Sequence, residues 1–145
     1  MKKTSIILLV ILSAGFFIRL FPLRTGARYW DETVYIQDAE RIAGQDSSNY
    51  TELDFRPPML SLMGGAVYAS GGGTTDFQII LVFLSTLSIF MVYLVGREIF
   101  SEEAGLVSAA VAALSLIHFR MSHSILVDPL LPLFWLLSFY FLSRQ

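Results

Sequence analysis

Pro57–Ser70, PPMLSLMGGAVYAS, is the stretch on which the arrangement of the whole chain turns. It is apolar, opens on a Pro-Pro pair and ends in Gly71-Gly72-Gly73, yet it holds only about fourteen residues where a membrane crossing needs about twenty. Segments of that length are more often interfacial or re-entrant than spanning. If it crosses, Asp128 lies on the side opposite Asp31; if it lies flat, both are on one side. The flat reading needs only four crossings. It also brings Asp31, Asp54, Arg56, Arg120, His123 and Asp128 to one membrane face, where they can converge.

Upstream of this stretch the chain is polar from Arg24 to Arg56 and carries most of its acids there. Within that loop Arg28–Ala43, RYWDETVYIQDAERIA, has helical periodicity. Tyr35, Ile36, Ala39, Ile42 and Ala43 share one face, and Thr33, Gln37, Asp38, Glu40 and Arg41 share the other, with Val34 breaking the pattern. A short amphipathic helix beside membrane segments is expected to rest along the interface. Glu32 falls on its apolar side and Asp31 at the edge, so neither carboxylate simply points into bulk water. The connector GQDSSNYTELD contains the glycosylation acceptor pattern Asn49-Tyr50-Thr51. Further back, Lys2-Lys3 and the apolar run from Thr4 to Ile18 resemble a signal peptide. The run continues past Ser13-Ala14, where cleavage is expected, so a retained first helix ending at Pro22 is the better reading, with Arg19 snorkelling toward the far interface.

Downstream, Phe77–Phe100 is long enough to cross. Ala104–Phe119, rich in Ala, Ser and Gly, allows close helix packing, and a last crossing runs from about Ile125 to Leu142. The expectation is an all-α, polytopic membrane protein: a first membrane helix over 1–23, an extracytoplasmic loop with interfacial helices over 24–73, and three further membrane helices over 77–145. Basic residues near helix ends do not choose an orientation. Lys2-Lys3, directly against the first helix, favours a cytoplasmic N-terminus.

A hydrophobic content of 54% and a mean hydropathy of +0.62 place the chain among membrane proteins. The net charge of −2 and the absence of a basic run longer than Lys2-Lys3 speak against a nucleic-acid partner. With no cysteine, disulfides, thiolate metal sites and cysteine nucleophiles are excluded together.

WDETVY opening a short amphipathic helix, DFRPPML after a polar loop and LVDPLLPLF before a later membrane helix together resemble the polyprenyl-phosphate-sugar-dependent glycosyltransferases of the GT-C fold. The chain is similar in particular to the protein O-mannosyltransferases and the lipid A aminoarabinose transferases. Asp31-Glu32 matches the Asp-Glu pair of the first extracytoplasmic loop in those families. Asp54-Phe55-Arg56-Pro57-Pro58-Met59 matches D-x-H-P-P-L with Arg in place of His and Met in place of Leu, and Asp128 matches the Asp of a later D-P pair. Such proteins are longer and have more membrane helices, so the resemblance implies that these residues correspond to their N-terminal part and do not transfer sugar by themselves.

The implied partners are a polyprenyl-phosphate-linked sugar donor, the lipid bilayer and an acceptor protein or lipid glycan. Transfer needs a base for the acceptor proton and cations beside the departing phosphate. Under the resemblance Asp31 is the candidate base. Glu32 orients it or a nearby arginine, or serves structure alone. Arg56 is the first phosphate partner, with Arg24, Arg28 and Arg120 behind it, though interfacial arginines also act as membrane anchors. Asp54 and Asp128 are candidates for sugar hydroxyls or, with His123, for a divalent metal, while Asp128 is equally readable as a helix-start residue before Pro129. Two other classes stay open: an inactive truncated copy, and a small helical membrane protein that packs against a partner through the Ala104 helix.

Overall fold

The computed structural model describes residues 3–45 and 56–144. Asp54 and the Asn49-Tyr50-Thr51 triplet lie outside these residues. Among the described residues the regular structure is entirely helical: α1 Lys3–Leu20, α2 Trp30–Ile42, α3 Pro58–Ala69, α4 Thr74–Ile99, α5 Glu102–Leu114, α6 Leu116–Met121 and α7 Leu131–Leu142.

The long helix α4 is the spine. α1, α5 and α7 all pack against it, and α1 also packs on α5. Its buried side carries Phe77, Leu81, Val82, Ser85, Ile89 and Tyr93, while Ile79, Ile80 and Phe83 remain exposed, as expected of a helix with both protein and lipid neighbours. The turn into α5 is possible because two glycines meet there. A Cβ on Gly96 would sit 3.0 Å from the Cα of Gly105, and one on Gly105 would sit 2.6 Å from the Tyr93 carbonyl oxygen. The small-residue character of the segment after Ala104 is thus spent on α4.

α2 and α3 form a pair at the end of the bundle where α4 begins. Pro57 precedes α3 and Pro58 occupies its first turn, where a missing N–H costs nothing. Gly64 and Gly65 let the two helices touch: an added Cβ on Gly64 would meet the Cβ of Ala39 at 2.7 Å, and one on Gly65 would meet Ile42. Leu60 near the start of α3 and Tyr68 near its end both join one core cluster with Tyr35, Ala39, Phe77, Leu81, Ile125 and Leu130. α3 meets the first turn of α4 through its middle and its end, Gly64 lying against the Phe77 ring and the Tyr68 hydroxyl 2.7 Å from that of Thr74. α2, α3 and the segment 122–130 share one end of the molecule.

Among the described residues two helices, α1 and α4, are long and apolar enough to cross a membrane. α5 and α7, with 13 and 12 residues, extend only about 20 Å each. The expected crossing from Ala104 to Phe119 is broken at Ser115, whose extended backbone (φ −62°, ψ 119°) ends α5 while its hydroxyl caps α6 by accepting from the His118 N–H. The last helix begins at Leu131 instead of near Ile125, and in the turns before it the Ile125 N–H donates to Glu32 of α2. Two local expectations fail as well. Arg19 does not snorkel to an interface but is fully buried. Asp38, on the polar face of the helical wheel, is buried too, because α3 covers that side and presents the Ser61 hydroxyl at 3.5 Å.

Candidate active site

The first turn of α2 holds two adjacent carboxylates in opposite situations. Tyr29 is the residue before the helix, with an extended backbone (φ −114°, ψ 151°), so Trp30, Asp31 and Glu32 fill the first turn and favour its positive end. At the third helical position Glu32 reaches back to the N–H groups of Arg28 and Tyr29, the latter at 3.1 Å. The same carboxylate accepts from Arg24 Nη2 at 3.1 Å and from the Ile125 N–H at 3.0 Å. Only 1% of Glu32 is exposed. Burial alone would raise its pKa, but the Arg28 and Tyr29 amides, the Arg24 guanidinium and the Ile125 amide together bring it below the ordinary value. One side chain thus ties the segment after α1, the start of α2 and the segment 122–130 into a single knot.

Asp31, one residue earlier, is 53% exposed at its side chain and pairs with Arg56 Nη2 at 2.8 Å. The Arg56 guanidinium also lies over two rings, 5.7 Å from the centroid of Trp30 and 5.3 Å from that of Tyr35. Trp30 is exposed and Tyr35 buried, so Arg56 bridges the surface and the α2–α3 core. The next residues along, Pro57, Met59 and Leu60, together with Val127, Leu130 and Phe134, line an apolar groove of about 290 Å³ between the starts of α3 and α7.

Behind Glu32 the segment after α1 is docked on α4: the Arg24 N–H donates to Gln78 Oε1 at 2.9 Å and the Thr75 hydroxyl to the Arg24 carbonyl at 3.4 Å. His123 is buried beside this cluster, its ring edge-on to Phe119 at 5.9 Å. Neither of its ring nitrogens has a partner in hydrogen-bond geometry. Burial and the cations of Arg24 and Arg28 lower its pKa, outweighing Glu32 and the Phe119 carbonyl.

The structure therefore brings together Asp31, Glu32 and Arg56, with Arg24, Arg28 and His123 adjoining. Arg120, in the last turn of α6, and Asp128 flank the same 122–130 segment. Both are exposed, and neither forms an ion pair with Asp31 or Arg56 among the described residues. Asp128 is not a helix cap, since Leu130 precedes α7 and Pro132 sits in its first turn. No group of three His, Asp or Glu side chains with metal-binding geometry occurs among the described residues, and the cations facing His123 oppose a second positive charge there. Sequence reasoning missed Gln78 and the Ile125 amide. Gln78 had a signal, being a polar residue early in an apolar run; a backbone N–H has none.

The model of dolichyl-phosphate-mannose-protein mannosyltransferases matches residues 56–145, more than half of the chain, from Arg56 at the ion pair through Arg120, His123 and Asp128 to the last residue. The chain belongs to this mannosyltransferase family. No curated protein and no solved structure matches it. The family match begins after α2, so it covers Arg56 but not its partner Asp31. The Asp31–Arg56 contact links the matched mannosyltransferase segment to the helix that precedes it.

Proposed function

We propose that this chain contributes the base and part of the donor site of a membrane glycosyltransferase that moves a sugar from a polyprenyl-phosphate carrier to an acceptor at the extracytoplasmic face. The observation that carries the reading is the division of labour in the first turn of α2. Glu32 is consumed by internal hydrogen bonds, and Asp31 presents a half-exposed carboxylate beside the Arg56 guanidinium.

In this reading the acceptor oxygen attacks the anomeric carbon of the sugar and its proton passes to Asp31. The bond between that carbon and the phosphate oxygen breaks, and the electron pair leaves with the lipid phosphate. Arg56 and Arg120 meet the phosphate charge, where fixed cations lower the barrier by favouring charge that develops in the transition state. Asp54 and Asp128 take sugar hydroxyls, and the groove from Pro57 to Phe134 receives the first apolar units of the carrier. In this reading α1 and α4 cross outright, and the bent α5–α6 pair and the shorter α7, packed along α4, complete a platform of four crossings. The N-terminus is cytoplasmic and α2, α3 and 122–130 are outside.

Asp31→Asn in the full-length protein tests the assignment. Asn keeps the size of the side chain and its tolerance of the helix start, and it removes the proton acceptor. Turnover is expected to fall about a hundredfold or more with donor binding nearly kept, and Thr33→Ala, on the exposed side of the same helix, to be silent. Near-normal turnover of the Asn variant would refute the role of Asp31.

A further inference from the structure

Among the described residues the most deeply buried charge takes no part in the site described above. Arg19 is fully buried near the end of α1, and no carboxylate among the described residues pairs with it. Its guanidinium reaches across the bundle instead. Nη1 donates to the Gly15 carbonyl of its own helix at 2.8 Å, and Nη2 donates to the Ala113 carbonyl at 3.1 Å and to His118 Nδ1 at 3.1 Å. An arginine cannot accept a hydrogen bond, so Nδ1 must carry the lone pair and the imidazole is neutral with its proton on Nε2. That proton points to the Ser85 hydroxyl of α4, 3.4 Å away. Arg19, His118 and Ser85 thus connect α1, α6 and α4 at the break between α5 and α6.

The break explains why a cation is there. In an uninterrupted helix the Ala113 carbonyl would accept from the N–H of Ile117, but the extended backbone of Ser115 removes that bond. A carbonyl left without a donor in apolar surroundings costs free energy, and a bent helix there is tolerated only where another group satisfies it. Arg19 supplies the missing donor.

We infer that Arg19, acting through the Ala113 carbonyl and His118, is a positioning residue that sets the α5–α6 bend and thereby places Arg120 and the segment 122–130 against α2. The inference rests on the function proposed above for its catalytic consequence, though not for its geometry. α6 carries Arg120 directly, and the following residues deliver the Ile125 N–H to Glu32 at 3.0 Å. Asp31, by contrast, stands on α2, outside the part that the bend moves. Loss of Arg19 should therefore disturb the donor side of the site more than its base.

These 145 residues hold no cysteine, so once any cysteine elsewhere in the full-length protein is replaced, labels can be placed at chosen sites. Spin labels on Thr33→Cys of α2 and Ile117→Cys of α6, both exposed, report the distance between the two elements. Arg19→Met is expected to shift or broaden that distance by about 3 Å, two residues of helical rise, and Arg19→Lys, which keeps the charge but not the forked donors, to restore it in part. In steady-state kinetics Arg19→Met should raise the KM for the lipid-linked donor about tenfold with a smaller change in kcat. An unchanged distance in a folded Arg19→Met protein overturns the inference, as does a fall in kcat with KM unaltered, the signature of lost folded enzyme. Should Arg19→Met fail to fold, His118→Phe decides: it leaves both carbonyl bonds of Arg19 intact, removes the link to α6, and must shift the same distance. If the unsubstituted protein transfers no sugar, the function reading falls and the distance measurement still judges Arg19.

Discussion

The two ends of the helical bundle use the same kinds of residue to different ends. Where α4 begins, three charged side chains are drawn inward or locked in place: Glu32 takes four hydrogen bonds, Arg24 is docked on Gln78, and Arg56 is held by Asp31 and two rings. At the opposite end α4 turns into α5 through a Ser101 hydroxyl that caps the Ala104 N–H, with Glu102 and Glu103 exposed to favour the helix start. The ion pair there, Arg144 with Glu98, is looser at 3.6 Å and solvent-facing. One end organises charge; the other only terminates helices. Polar groups are worth burying where they hold separate segments in register, and the first end has several segments to hold.

If that contrast reflects two sides of a membrane, single cysteines should divide without intermediates. Thr33→Cys and Ser70→Cys are expected to react with an impermeant reagent applied from outside intact cells, and Ser101→Cys only after the membrane is opened. Labelling of Thr33 and Ser70 from opposite sides of the membrane would mean that α3 crosses.

A second measurement probes the knot itself. Glu32→Gln leaves Arg24 without its counter-charge and weakens the bonds from Arg28, Tyr29 and Ile125, for an expected loss of about 3 kcal/mol in stability by denaturation in mild detergent. Because the folded pKa of Glu32 lies below its unfolded value, its contribution is complete above that unfolded value, about 4.3, and fades as pH falls through the folded one. The gap between wild type and variant should accordingly narrow below about pH 4; a gap constant down to the acid limit would mean that the carboxylate is not the stabilising form. At the other end Glu98→Gln should cost no more than about 0.5 kcal/mol, as for other exposed pairs. A loss equal to that of Glu32→Gln would erase the distinction between the ends.

The sequence made α2 legible because its periodicity is that of a helix with one covered face, and Tyr35 and Ala39 are buried as that pattern requires. It placed Glu32 inward and Asp31 at the margin for the same reason. Asp38 was misjudged because periodicity sees one face at a time, and α3 covers a second. The bend at Ser115 was invisible: nothing in SAAVAALSLIHF forbids a continuous helix, and the group that makes the break tolerable is an arginine far away in the chain. Long-range compensation of this kind has no local signature, and neither does the Ile125 amide on Glu32.

The contact of α2 and α3 through Gly64 and Gly65 has a mechanical consequence. With helix backbones this close, neither member can slide or rotate alone without driving Ala39 or Ile42 into its neighbour. The two therefore tilt as one plate. Rocking it against the bundle would have to be absorbed at residues 21–29 and at the turn around Gly71, where a positive φ of 86° already marks a glycine-only conformation. The bonds from Arg24 to Gln78 and from Thr75 to the Arg24 carbonyl stand across the first of these joints, so they are the latches such a movement would have to open.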